Sequence, residues 1–122
     1  MTRARVLLIG LDPALVDFSR STRTAEQVTA AGGAAAETLR SSGCDVHSCL
    51  VDLGDTAEVV VRQALALNTF DCILIGAGIR ALPQHTALFE RIINAVHQDA
   101  PSAKLCFNTN PGDTVEAVLR WV

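Results

Sequence analysis

A chain of 122 residues, 49% hydrophobic and 19% charged, has the size and composition of one globular domain with a core of its own. A net charge of −3 with a single lysine excludes the clustered cations that nucleic-acid binding requires. No apolar run approaches the roughly 18 residues that cross a bilayer, so neither nucleic acid nor membrane is expected as a partner.

The apolar run Val6 to Leu11 stops at Asp12 after six residues, too short for a leader and suited to a first strand, Arg5 to Gly10. A soluble, cytoplasmic protein is the expectation. Thirteen residues, Leu11 to Arg23, then connect this strand to a helix, with Asp12-Pro13 set to cap one helical turn and Ser19 to Arg23 forming a polar, basic loop. So long a connection in a compact domain is a functional lid or a mobile segment.

Helix one is predicted from Thr24 to Ser41, opened by a Thr24–Gln27 capping box and lined on one face by Val28, Ala31, Ala35 and Leu39. Gly32-Gly33 at its centre costs about 1 kcal/mol per glycine relative to alanine, which predicts either a helix lying unusually close to the sheet or a break at that point. Gly43 ends it. Strand two follows from Asp45 to Val51, helix two from Thr56 to Asn68 and strand three from Asp71 to Ile75. Pro83 suits the first turn of helix three, which runs to Gln98 and buries Leu88, Phe89, Ile92, Ile93 and Val96. Strand four is Lys104 to Phe107, and helix four Thr114 to Trp121.

Strict alternation of buried strands with helices predicts a parallel sheet covered on both faces, a three-layer α/β sandwich. Right-handed crossovers favour strand order 2-1-3-4. Over the whole chain this resembles, at fold level, a flavodoxin or a response-regulator receiver domain without its last strand. The resemblance stops short of their chemistry. Gly76 stands where a receiver carries its phospho-accepting aspartate, and the hydroxyl-rich Ser19 to Thr24 comes too late for a flavodoxin's phosphate loop. Gly76-x-Gly78-x-x-Ala81 matches a relaxed dinucleotide fingerprint, but Pro83 starts a helix too late and no acidic residue ends the next strand. No cofactor is predicted.

One motif is written twice: Gly54-Asp55-Thr56-Ala57-Glu58-Val59-Val60-Val61-Arg62 and Gly112-Asp113-Thr114-Val115-Glu116-Ala117-Val118-Leu119-Arg120. Asp55 and Asp113 are expected to cap helices two and four, with Glu58 and Glu116 completing each box. Glu58–Arg62 and Glu116–Arg120 are i,i+4 pairs, worth about 0.2–0.5 kcal/mol each. Helix physics leaves only the threonine without a role. Gly54 and Gly112 also expose helix N-termini to which an anion could bind.

In a sheet of order 2-1-3-4, ligands bind beyond the carboxyl ends of strands one and three, where the chain reverses direction. Gly10, Asp12, Gly76, Gly78, Arg80 and Asn108 converge there, and Arg80 offers a donor fork matched to phosphate or carboxylate. The leading expectation is therefore a binding domain for a small anionic ligand. A second is a structural module acting as a homo-oligomer, a dimer through the strand-four edge and Trp121. A third is a small enzyme using a His85–Asp12 acid–base pair, so catalysis is left open.

No metal is expected. His47 and Cys49 share a strand face but lack two further convergent ligands. The four cysteines, Cys44, Cys49, Cys72 and Cys106, read as reduced core residues, and His97 as a half-buried packing residue.

Overall fold

The computed structural model describes residues 3–122. Strands β1 (Ala4–Leu11), β2 (Cys44–Val51), β3 (Cys72–Ile75) and β4 (Lys104–Phe107) form one parallel sheet in the order β2-β1-β3-β4. Helices α1 (Ala25–Ser41), α2 (Thr56–Leu67), α3 (Ala77–Arg80), α4 (Thr86–Asp99) and α5 (Thr114–Leu119) cover its two faces, giving the expected three-layer α/β sandwich. No helix among the described residues is long and apolar enough to cross a membrane.

The near-continuous apolar strands follow from burial on both sides. Alternation in β1 sends Leu7 and Ile9 into a core shared with α2 and α4, and Val6 and Leu8 into one shared with α1 and α5. The four cysteines are buried free thiols, and Cys72 and Cys106 lie side by side, Sγ to Sγ 3.4 Å. The Cys72 thiol is pushed up, first by that contact and then by burial.

Local signals place α1 well. Gln27 N–H donates to Thr24 Oγ1 (3.2 Å) and Thr24 N–H to Gln27 Oε1 (2.9 Å), completing the capping box. Gly43, at φ +97°, supplies the left-handed residue that ends the helix.

Helix three is the element that differs most from expectation. Pro83 restricts the residue before it, and Leu82 is extended (φ −104°, ψ 137°), so the helical path breaks there. Pro83–His85 forms a separate 3-10 turn before α4, and an unforeseen α3 follows β3 directly. Phe89 and Ile93 are only partly buried, and His97 is exposed.

The repeat also departs from its expected role. Asp55 makes no side-chain cap on α2, and Asp113 none on α5. The Glu58–Arg62 ion pair forms (3.1 Å), whereas the Arg120 guanidinium donates to Phe107 O (3.3 Å) rather than to Glu116.

Candidate functional site

β1 and β2 run two residues beyond β3, because Ile9 pairs with Ile75 while Gly10 and Leu11 pair onward with Leu50 and Val51. The chain leaving β3 folds over this step. Gly76 N–H donates to Ile9 O (2.8 Å), and a Cβ at Gly76 would stand 3.3 Å from that oxygen, so only glycine lets the two backbones meet without a shift.

Asn108 holds the other side of the step. It is 6% exposed; its Oδ1 accepts from Ala77 N–H (2.8 Å) and its Nδ2 donates to Thr114 Oγ1 (2.9 Å). One amide thus ties the start of α3 to the start of α5 and satisfies an otherwise orphaned helix donor.

Between this edge and α1 lies a cavity of about 600 Å³. Its floor is the α1 side of the sheet, including Leu8, Leu50 and Leu74, and its roof is the inner face of α1, including Val28, Gly32, Gly33 and Ala36. Val16 and Phe18 of the long β1–α1 connection close one side, and His85 with the Asn108–Pro111 loop another. The lining is mostly apolar.

The helix glycines make this space by standing away from the sheet. A Cβ at Gly32 or Gly33 would meet nothing within 4 Å, which overturns the expected close helix–sheet approach. The C-terminal half of α1 packs through Ala35, Ala36 and Leu39, while its N-terminal half leaves the sheet uncovered. Leu50, on the edge strand below, is consequently 56% exposed.

Of the six residues expected to build the site, Gly10, Gly76, Gly78 and Asn108 line this cavity. Asp12 and Arg80 do not. Asp12 caps the 3-10 turn Pro13–Leu15 by accepting from Ala14 N–H (3.0 Å), and it lines a separate shallow groove against Ala25 and Glu26. Arg80 turns to the opposite face of the sheet, where Nε donates to Ile75 O (3.2 Å) and its guanidinium carbon lies 5.1 Å from the Phe107 ring centroid. Its Nη2 is buried without a hydrogen-bond partner.

His85 lines the main cavity with Nδ1 3.0 Å from Gly78 O, so His85 and the Asp12 carboxylate do not share one cavity. His47 packs edge-on against Phe70 (centroids 5.5 Å), and among the described residues no three His, Cys, Asp or Glu side chains converge as a metal site.

The cations that line the cavity are Arg23 and Arg40. Arg40 is committed to Glu37 (3.1 Å) and Val46 O (3.1 Å). Arg23 donates only its backbone N–H, to Ser21 Oγ (3.0 Å), among the described residues. The basic loop was therefore a better pointer to the cavity than Arg80. Its α1 residues Gly32 and Gly33 carried a signal as well: two glycines at the centre of a helix mark missing volume as readily as close approach.

No protein-family model matches this chain, and no curated protein matches it either.

Proposed function

We propose that this chain is a small-molecule binding domain that seats an anionic ligand at the carboxyl edge of the sheet, in the cavity between α1 and the β1–β3 junction. The observation that carries this reading is the position of that cavity. It opens where β1 and β3 part and the chain reverses direction, the place where open α/β sheets hold their ligands, and its volume suits a small molecule. The arrangement is compatible with a flavodoxin-like fold short of one strand, and a cytoplasmic setting would keep the four buried thiols reduced.

Gly32→Leu tests the reading. The new side chain enters open space, and leucine raises helix propensity by roughly 1 kcal/mol over glycine. The variant should keep or raise its Tm while losing every thermal shift that the parent shows with a panel of phosphate- and carboxylate-bearing compounds. Ligand shifts that survive in Gly32→Leu would place the binding elsewhere.

A second reading, a homodimer, is favoured by apolar exposure near the end of α5. Trp121 is 52% exposed beside exposed Leu119 and Val122, and Arg120 ties this end of the chain to β4. Light scattering should then report a dimer that Trp121→Ala dissociates; a monomer across the micromolar range would remove this reading.

A further inference from the structure

Resting on the cavity as the binding site, we infer that its ligand is a mostly apolar monoanion, a carboxylate carried on an aliphatic or aromatic body, and not a phosphate-rich molecule. Three observations point the same way: the walls, the committed polar groups and the one uncommitted cation.

Apolar side chains predominate on all three sides, among Ser48 of the sheet, Thr29 of α1 and Ser21 of the connecting loop. Leu8 and Leu74 come from the sheet, Val28 from α1 and Phe18 from the connecting loop, and Leu50 stands 56% exposed beside them. Such surface gains free energy when it is covered, at about 25 cal/mol per Å². An apolar body supplies that cover and a hydrated phosphate does not.

The polar side chains of the Asn108–Asn110 loop at the mouth are already paired within the protein. Asn108 is spent on Ala77 N–H and Thr114 Oγ1, and Thr114 Oγ1 itself donates to Pro111 O (3.1 Å). Asp113 accepts from Thr109 and Asn110, and Asn110 Oδ1 accepts from Gly112 N–H (2.7 Å). A phosphate presents at least three strong acceptor oxygens and needs a matching set of donors. The loop from Asn108 to Gly112 has used its donors to hold its own shape.

Arg23 remains. It is exposed, it lines the cavity, and among the described residues its guanidinium has no hydrogen bond or ion pair, whereas Arg40 is held by Glu37 and Val46 O. One uncommitted cation above an apolar seat matches one negative charge on an apolar body.

Calorimetric titration of the full chain with hexanoate, octanoate and decanoate, with octanol and inorganic phosphate in parallel, tests this assignment. Affinity should rise roughly fourfold for each added methylene. Octanoate should bind at least tenfold more tightly than octanol. Arg23→Ala should erase the preference for the acid and leave octanol binding and its chain-length dependence intact, whereas Gly33→Leu should abolish both. Phosphate binding more tightly than octanoate, with Gly33→Leu abolishing it, would overturn the apolar assignment and keep the site. Equal affinity for octanoate and octanol, or an unchanged preference in Arg23→Ala, would overturn the role given to the charge. Binding of these probes that is indifferent to Gly33→Leu, or no binding of any of them, would remove the assignment; only the former also argues against the cavity.

Discussion

In the first copy of the repeat, Thr56 Oγ1 donates to Asp52 Oδ2 (2.6 Å), and Asp52 is the residue that follows β2. In the second copy, Thr114 Oγ1 accepts from Asn108 Nδ2 (2.9 Å), and Asn108 is the residue that follows β4. The threonine, which helix propensity leaves without a role, has the same task twice: it fastens the first turn of a helix to the end of the preceding strand. The aspartates and arginines do not share a task. Asp55 makes no side-chain cap, while Asp113 gathers Thr109 N–H (2.9 Å), Thr109 Oγ1 (2.6 Å) and Asn110 N–H (3.2 Å). Arg62 reaches Glu58, Gln98 and Asp99, joining α2 to α4, whereas Arg120 reaches back to Phe107 O.

Loop length and burial account for the divergence. Asp52 and Leu53 separate β2 from Gly54, but Asn108, Thr109, Asn110 and Pro111 separate β4 from Gly112. The longer loop needs an internal tie, and Asp113 supplies it as the far end of a capping box opened by Asn110. Thr114 and Asn108 are also buried, at 6% each, whereas Thr56 is exposed. The residues shared by the two copies therefore sit in unequal environments.

The largest expected effect lies in the second copy. Asn108→Ala leaves Ala77 N–H without its partner and takes from Thr114 Oγ1 the bond it accepts, and should cost about 2–3 kcal/mol in chemical denaturation. Thr114→Val should cost about 1–2 kcal/mol, because it strands the buried Asn108 Nδ2. The matching Thr56→Val, at an exposed site, should stay within about 0.5 kcal/mol. Equal losses at the two threonines would break the distinction drawn from burial.

A smaller effect separates the arginines. Arg62→Ala should lower Tm more than Arg120→Ala, since it alone removes a tie between two helices. High salt should shrink that difference, because both ion pairs of Arg62 are partly exposed. A difference that is indifferent to salt would mean the Arg62 side chain acts through packing instead.

The smallest effect is one of pH, and there the two strand-to-helix junctions should agree. Hydrogen bonds from Thr56 Oγ1 and Gly54 N–H hold the Asp52 carboxyl below its ordinary 3.8, and the bond from Thr109 Oγ1, with those from Asn110 and Thr109 N–H, does the same for Asp113. A carboxyl whose folded value is depressed adds stability that is complete above the unfolded value and lost as pH falls through the folded one. Wild-type stability should therefore fall below about pH 4, with a shallower fall in Asp52→Asn and in Asp113→Asn. Acid limbs that superimpose on the wild type in both variants would show that these bonds add nothing to stability.

The layered architecture and strand order were legible in the sequence because their signals are local. Strands covered on both faces are written as unbroken apolar runs, as in Val6 to Ile9 and Cys72 to Ile75, and helix starts are written as caps, as at Thr24 and Gln27. The sheet edge that would hold a ligand followed from strand order alone.

Tertiary structure decided which side chains occupy that edge. Arg80 stands five residues past the end of β3, yet the turn of α3 carries it to Phe107 on the opposite face. Asn108 is spent on an amide 31 residues away, and no local pattern announces such a bond. Gly32-Gly33 is compatible with a helix pressed to the sheet and with one lifted from it, because a missing side chain states no distance. Only the packing of Ala35, Ala36 and Leu39 further along α1 determines that its first half stands clear and leaves the cavity beneath it.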